Sequence, residues 1–217
     1  MTHHLGTFVT VDGPGGVGKS TLVSTLADML HGHGHRVHAT CEPSTRPIGA
    51  FTRAHADDIG GHALACLVAA DRYDHLDHEI HPRLADGYTV VCDRYLASTL
   101  VVQRLDDVPE PFLLALNDGI TLPDLAVILT AEPHVIAQRL TARGAHHRFE
   151  RDPSIPAREL ALYEQAAETL RGMNVPVLVL DTGNVTPSEA AAQIASSLGR
   201  RPGNVGPSDP DPLTVTR

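Results

Sequence analysis

The chain has 217 residues, enough for one sizeable hydrophobic core, and no break in composition marks a second domain. Acidic residues outnumber basic ones by 26 to 17, and the formal charge of -9 argues against a protein that wraps a polyanion such as duplex DNA. No apolar stretch is long enough to span a bilayer, and the N-terminus lacks the basic-then-apolar order of a secretion signal. We expect a cytoplasmic protein without a membrane or nucleic-acid partner.

Apolar runs predict five β-strands, and segments with helical periodicity separate them. The strands are expected at Phe8–Val11, Arg36–Cys41, Tyr88–Cys92, Leu125–Leu129 and Val175–Leu180. The helices are expected at Lys19–His31, Gly61–Ala85, Leu96–Leu105, Pro133–Arg143, Pro156–Arg171 and Ser188–Leu198. This alternation predicts an α/β fold in which a parallel five-stranded sheet carries helices on both faces.

The end of the chain differs in composition from the rest. The sequence Thr-Pro-Ser-Glu at residues 186–189 is typical of a helix start. From Arg200 onward the chain is rich in Pro, Gly and Asp and lacks apolar periodicity. We therefore expect a single domain over residues 1–199 and a disordered C-terminal tail over residues 200–217.

Residues 13–20 read Gly-Pro-Gly-Gly-Val-Gly-Lys-Ser and match the phosphate-binding P-loop pattern at every fixed position. They follow a predicted strand and precede a predicted helix, whereas a glycine-rich turn without a ligand would not need that context. Lys19 is expected to reach the terminal phosphates, and the Ser20 hydroxyl to ligate Mg²⁺. The predicted nucleotide-binding residues are Gly13, Gly15, Gly16, Val17, Gly18, Lys19, Ser20 and Thr21.

The third predicted strand ends in an acid, Asp93, followed by Arg94. P-loop enzymes place a carboxylate near Mg²⁺ in this way, so Asp93 is a candidate metal ligand and Arg94 a candidate ligand for a second phosphate group. The alternative is that Asp93 caps the next helix and Arg94 is a surface partner.

Histidine and cysteine are predicted to have structural roles only. The 14 histidines are scattered through polar segments, so we expect solvated surface side chains and no metal site. Cys41, Cys66 and Cys92 lie in apolar or strand-like surroundings without paired metal-ligand spacing, which favours buried, reduced thiols.

The segment Asp93-Arg94-Tyr95, followed by Ser98 and Gln103, resembles the DRY…S…Q segment of thymidylate kinases. The resemblance spans about residues 8–198. The further stretches that resemble the same family, in the same order, are Glu42-Pro43 with Pro47-Ile48-Gly49, Ala69-Ala70-Asp71-Arg72, Pro123-Asp124-Leu125, and Arg143-Gly144 with Arg148-Phe149-Glu150.

This resemblance implies a P-loop kinase fold with an arginine-bearing lid at about residues 139–151, and an ATP-dependent kinase that acts on a nucleoside monophosphate, by default dTMP. It also implies a homodimer. By position, Arg94 would grip the acceptor phosphate, Arg72 would approach the base edge, and Arg148 or Arg143 would close over the transferring group. The implied catalytic residues are Lys19, Arg94, Arg148 and Arg143; the metal ligands are Ser20 and Asp93; and the acceptor-binding residues are Glu42, Pro43, Val68, Arg72, Arg94, Ser98 and Gln103.

Three alternatives remain open from the sequence, and they concern the lid segment, the acceptor and the class of protein. The lid segment could be a charged surface helix whose arginines pair with Glu150 and Asp152. The acceptor could be a nucleoside or an unusual nucleotide-like metabolite, because the family usually has an acid, an arginine, an aromatic residue and a tyrosine at four positions. Those positions hold Gly15, Cys41, Val68 and Val102. A nucleotide-dependent switch or a non-catalytic binding module is a third interpretation, although no Asn-Lys-x-Asp guanine-reading sequence is present.

Overall fold

The structure, a computed structural model, describes residues 5–143 and 155–199, so the predicted tail and most of the predicted lid lie outside the described residues. The strands are β1 (Thr7–Asp12), β2 (Val37–Cys41), β3 (Thr89–Asp93), β4 (Leu125–Thr130) and β5 (Val177–Asp181). They form a parallel sheet in the order β2-β3-β1-β4-β5. All five predicted strands are confirmed within one or two residues.

The helices connect the strands and agree with the predicted segments, with two additions. They are α1 (Lys19–Gly32), α2 (Pro47–His55), α3 (Gly61–His75), α4 (His81–Ala85), α5 (Leu96–Leu105), α6 (Glu110–Leu116), α7 (Pro133–Arg143), α8 (Ile155–Gly172) and α9 (Pro187–Gly199). A π-helical turn, Leu76–Ile80, joins α3 to α4, so the predicted helix Gly61–Ala85 is continuous but locally widened. None of the helices in the described ranges is long and apolar enough to cross a membrane.

Successive residues of the central strands point to opposite faces of the sheet and build two cores. Phe8 and Val90 belong to the core on the side of α5 and α8, whereas Val9 and Val91 belong to the core on the side of α1 and α9. Because both faces are covered, the central strands consist mainly of apolar residues. All five strands run parallel, so their carboxyl ends meet at one edge of the sheet, where loops are free to carry polar groups.

Helices α2 and α6 were not predicted because they are short. Helix α2 has nine residues and α6 has seven, too few for an apolar period to be recognised. At the other end of the chain, the predicted helix start is confirmed by a capping box. The Thr186 hydroxyl accepts the Glu189 N–H at 3.2 Å, and the Glu189 carboxylate accepts the Thr186 N–H at 2.7 Å.

Two expectations about single residue types are wrong in part. His75 is fully buried, not solvated, and its Nε2 lies 2.8 Å from the Thr40 hydroxyl. All three cysteines are free thiols, but only Cys92 is buried, whereas Cys41 is half-buried and Cys66 is exposed on α3. Residue type alone does not decide burial here, because each side chain follows the helix face or strand end on which it falls.

Gly49 packs against the loop that follows β2 and leaves no room for a side chain. In that loop both Ser44 N and Ser44 Oγ donate to the Asp71 carboxylate at 2.6 Å. A Cβ on residue 49 would lie 2.5 Å from Ser44 N and 2.6 Å from Asp71 Oδ1. We expect Gly49→Ala to lower the free energy of unfolding by about 1–3 kcal/mol, since overpacking a tight site displaces backbone.

Urea denaturation monitored by circular dichroism measures this change. Gly32→Ala is the matched control, because a Cβ at Gly32 in α1 meets nothing within 4 Å. Equal stabilities of the two variants would contradict the predicted packing of Gly49.

Candidate active site

The P-loop runs from the end of β1 into α1, and its backbone conformation requires glycine. Gly13 has a φ of 148°, and a Cβ there would lie 2.6 Å from the Leu129 carbonyl oxygen. Gly18, with a φ of 103°, is the N-cap residue of α1 in the left-handed region. These glycines bring the loop close to β4 and turn it sharply into the helix, so the unpaired amides of the first helical turn face the loop.

Lys19 is buried and bonded to the loop that precedes it. Its Nζ donates to the carbonyl oxygens of Gly13 and Pro14, both at 2.8 Å, and only 6% of the residue is exposed. Desolvation, followed by the nearby positive charge of Arg94, lowers the pKa of Lys19 to about 7. Lys19 is also the single lysine of the 217-residue chain.

The lowered pKa of Lys19 predicts how its protonation changes with pH and with bound ATP. In the free protein the ammonium should lose its proton with a midpoint near pH 7, whereas a bound triphosphate favours the charged form and raises that midpoint. ATP binding should therefore take up a proton, and ATP affinity should fall as the pH rises above 7.

The measurement is a pH titration by NMR of protein labelled with ¹³Cε-lysine, in which one signal reports Lys19. The matched sample with a non-hydrolysable ATP analogue should titrate at higher pH. A midpoint near 10.5 in the free protein would contradict the prediction.

Ser20 and Asp93 meet at the mouth of the P-loop. The Ser20 hydroxyl donates to Asp93 Oδ2 at 2.6 Å, across 73 residues of sequence. Asp93 Oδ1 is buried and has no hydrogen-bond partner among the described residues. A hydroxyl and a carboxylate with a spare oxygen are the oxygen ligands that Mg²⁺ takes beside nucleotide phosphates, so the pair fits a metal ligand set.

Arg94 lies beside this pair in an unusual backbone conformation. Its φ is 73°, and its N–H donates to the Val11 carbonyl oxygen at 2.9 Å. Burial lowers the pKa of the Arg94 guanidinium, but electrostatic interactions, chiefly with Tyr163 and Asp93, raise that pKa above its ordinary value overall. The guanidinium makes no hydrogen bond to another described side chain. It therefore remains a cation able to bind an anionic group.

A cleft of about 560 Å³ joins the P-loop to the β5–α9 connection. Lys19, Asp93 and Arg94 line it together with Arg139 and Thr186. A cleft of this size, lined by glycine amides and cations, suits a nucleotide.

Arg139, the first residue of the predicted lid, fixes this cleft from the side of α7. Its guanidinium donates to the Thr182 carbonyl oxygen at 2.9 Å and to the Val17 carbonyl oxygen at 3.3 Å. The Thr182 hydroxyl donates to the same Val17 oxygen at 2.9 Å. The P-loop and the β5–α9 connection are thus joined directly.

Arg72 lies in a buried polar network, not at an open surface. Its guanidinium donates to Glu42 Oε2 at 2.9 and 2.7 Å, to Asn117 Oδ1 at 2.6 Å and to the Thr99 hydroxyl at 2.9 Å. It also lies 4.8 Å from the centre of the Tyr95 ring, and only 1% of Arg72 is exposed. Four of its five N–H groups are therefore used inside the protein, and one remains for a ligand.

Apart from Arg94, which lines the cleft, the other predicted acceptor-side residues lie outside it. Gln103 is buried on α5, Val68 is partly buried on α3, and Pro43 is partly buried after β2. The Ser98 hydroxyl donates to Asp12 Oδ1 at 2.7 Å. The side chain of Arg143 and the whole of Arg148 lie outside the described residues.

Arg53 is a candidate that sequence reasoning missed. It lies on α2, its guanidinium donates to the Pro43 carbonyl oxygen, and its Nη2 is 3.6 Å from the Cys41 sulfur. It thus brings a guanidinium to the place where Cys41 replaces the arginine usual in the resembling family. The signal was weak, because α2 itself was not predicted.

A P-loop at the carboxyl edge of a parallel sheet, with an acid on the neighbouring strand and an arginine after it, defines a P-loop phosphotransferase. The family model described as thymidylate kinase matches residues 11–176, more than half of the chain. The chain therefore belongs to the thymidylate kinase family and is a nucleoside monophosphate kinase. The interpretation as a nucleotide-dependent switch is wrong.

Similar proteins support this assignment. The chain is 37% identical to a probable thymidylate kinase of Caldivirga maquilingensis over 79% of this chain and 84% of that protein. It is 34% identical to a probable thymidylate kinase of Pyrobaculum aerophilum over 89% of this chain and 96% of that protein. A thymidylate kinase structure from Candida albicans superposes with a TM-score of 0.74 at 22% identity, covering 91% of this chain and 93% of that one. The predicted P-loop kinase fold is confirmed.

Proposed function

We propose that this protein transfers the γ-phosphoryl group of ATP to dTMP and releases ADP and dTDP. The observation that carries the proposal is that Arg94 lines the same cleft as the P-loop lysine and Asp93 and interacts electrostatically with both. Two anionic substrates need cations at the point where they meet, and main-chain amides for the donor phosphates.

On the donor side, the P-loop amides and Lys19 would hold the β- and γ-phosphates. The β5–α9 connection, with Arg139, Thr182 and Thr186, would hold the nucleoside end of ATP at the far end of the cleft. Ser20 and Asp93 would hold Mg²⁺, which when bound neutralises part of the phosphate charge. These residues align the donor and screen its charge without a covalent step of their own.

On the acceptor side, Arg94 would bind the dTMP phosphate, and Arg53 would approach it from α2. Arg72 would reach the base with its one unused N–H, held in place by Glu42. Glu42, Pro43, Val68, Ser98 and Gln103 complete the proposed acceptor site. The two arginines would therefore have different roles. The exposed Arg53 would attract the phosphate by its charge, whereas the buried Arg72, held by its hydrogen bonds, would position the base.

The predicted lid would bring Arg143 or Arg148 over the transferring group and exclude water. We also propose a homodimer. Its support is a set of exposed aromatic side chains on α2, α3 and α6, namely Phe51, Tyr73 and Phe112. Multi-angle light scattering on the purified protein measures its mass, and a monomer at micromolar concentration would contradict the homodimer.

The alternative acceptor, a nucleoside or an unusual nucleotide-like metabolite, is not favoured. It rested on Gly15, Cys41, Val68 and Val102, and the position of Arg53 beside Cys41 offers a substitute for one of these departures. The relatives described as probable thymidylate kinases also span most of the chain.

A coupled assay of ADP formation tests the proposed function. With Mg·ATP fixed, a panel of nucleoside monophosphates and nucleosides is compared, and Lys19→Met serves as the blank. We expect dTMP to have the highest kcat/KM and to win in direct competition. A higher kcat/KM for a nucleoside, or no ADP formation with any nucleotide acceptor, would reject the proposal.

A further inference from the structure

Asp12, the last residue of β1, is a fully buried acid that none of the roles above uses. Its Oδ1 accepts three hydrogen bonds, from Tyr95 N and Ser98 N at 2.9 Å and from the Ser98 hydroxyl at 2.7 Å. Its Oδ2 is buried and has no hydrogen-bond partner among the described residues. A buried acid with one saturated and one unpartnered oxygen calls for an explanation beyond packing.

The three hydrogen bonds make Asp12 the cap of helix α5, although it belongs to a distant strand. Helix α5 begins at Leu96, and the side chain of its N-cap residue, Tyr95, makes no capping hydrogen bond. Asp12 accepts the N–H groups of the N-cap and N3 residues, which are the groups that capping satisfies. The start of α5 is therefore fixed to β1.

Arg94 lies in the turn between β3 and α5, which two hydrogen bonds fix to β1. Val11 accepts the N–H of Arg94, and the next residue of β1, Asp12, accepts the N–H of Tyr95. The Cys92 thiol donates to the Arg94 carbonyl oxygen at 3.1 Å. A residue other than glycine at a φ of 73° is unfavourable by itself, so these contacts on both sides are what keep Arg94 in this turn.

The hydrogen bonds from Arg94 N to Val11 and from Tyr95 N to Asp12 form a clamp on the backbone of Arg94, and charge adds to it. Burial raises the pKa of Asp12, while its hydrogen bonds to Ser98 and Tyr95 and the positive charge of Arg94 act in the opposite direction. The Asp12 carboxylate is thus one of the negative groups that surround the guanidinium, together with Asp93 and Glu159.

We propose that Asp12 is a positioning residue that holds the backbone and charge of Arg94 where the acceptor phosphate binds, without touching either substrate itself. The proposal rests on the proposed function, because it assigns the acceptor phosphate to Arg94. It predicts a defect on the acceptor side only, even though Asp12 directly precedes the P-loop of the donor side.

The test compares Asp12→Ala and Asp12→Asn in the full chain, with KM measured separately for dTMP and ATP. For Asp12→Ala we expect KM for dTMP to rise about tenfold, with KM for ATP changed less than about twofold, since one cap and one charge are lost near Arg94 alone. For Asp12→Asn we expect KM for dTMP to rise about threefold, because asparagine caps as well as aspartate but carries no charge.

Asp124→Asn is the matched control, because Asp124 Oδ2 accepts Phe8 N at 2.8 Å near the other end of β1. It should leave KM for dTMP unchanged. In an Arg94→Gln background, Asp12→Ala should cause no further rise. Equal increases in both KM values, or an Asp12→Ala effect that persists in that background, would overturn the proposal.

Two further measurements keep the proposal decidable. If Asp12→Ala does not fold, the isosteric Asp12→Asn decides through the same KM comparison, and unchanged kinetics would overturn the proposal. If the wild type phosphorylates no nucleoside monophosphate, the proposed function fails, and amide hydrogen exchange then tests the clamp. Lost protection at Tyr95 and Ser98 in the Asp12 variants, but not in Asp124→Asn, supports the clamp, and unchanged protection overturns it.

Discussion

Replacing Lys19 by methionine is expected to lower kcat by about 10²–10³-fold, the effect typical of removing one preorganised group that stabilises transition-state charge. The side chain is buried next to the P-loop carbonyls of Gly13 and Pro14, so its charge acts in surroundings with little water. The chain has no second lysine that could take its place.

The fold should survive this substitution. Methionine is similar in length and apolar, and the buried ammonium is already poorly solvated, as its lowered pKa indicates. We expect a melting temperature within a few degrees of the wild type, measured by differential scanning fluorimetry. Arg171→Met, at an exposed position of α8, is the control for loss of one positive charge. A Lys19→Met enzyme that keeps more than about a tenth of wild-type kcat would contradict the assigned role.

Replacing Arg94 by glutamine is expected to lower kcat/KM for dTMP about 10²-fold or more, with KM for ATP close to that of the wild type. The guanidinium is a persistent cation beside the cleft, and no described side chain accepts a hydrogen bond from it. A planar guanidinium binds two phosphate oxygens at once, so Arg94→Lys should recover only part of the loss.

The matched control for this change is Arg104→Gln on α5, the helix that follows Arg94. Arg104 pairs with Glu110 at 3.0 Å and donates to Gln165 at 2.7 Å, away from the cleft. Steady-state kinetics with dTMP varied at saturating ATP, and then the reverse, separate the two substrates. Similar losses in Arg94→Gln and Arg104→Gln, or a loss confined to ATP, would contradict the assignment of Arg94 to the acceptor.

The P-loop and the acid at the end of β3 were predictable because each is a short segment whose function depends on its own neighbours. Lys19 and Ser20 directly follow a tight turn built of glycines, and Asp93 follows an apolar run. The sequence predicted Ser20 and Asp93 as candidate Mg²⁺ ligands, whereas their direct hydrogen bond of 2.6 Å is a finding of the structure.

Other features could not be predicted from local pattern. The contact of Asp12 with Tyr95 spans 83 residues, and that of Arg72 with Asn117 spans 45. Neither pair has a sequence spacing that identifies it, since the first depends on β3 lying beside β1 in the sheet and the second on α3 packing against α6. Arg53 beside Cys41 was missed for a further reason. It lies on a nine-residue helix, which leaves almost no periodic signal in the sequence.

The α/β alternation, the donor loop and the family were predictable, because apolar period, glycine spacing and motif order are properties of contiguous residues. The capping of α5 by Asp12, the hydrogen bonds between Arg72 and Glu42 and the burial of His75 became clear only from the folded chain. These outcomes depend on which strands are neighbours and on which helix faces the sheet. Burial and hydrogen bonding between distant segments are set by that packing, which no single stretch of residues encodes.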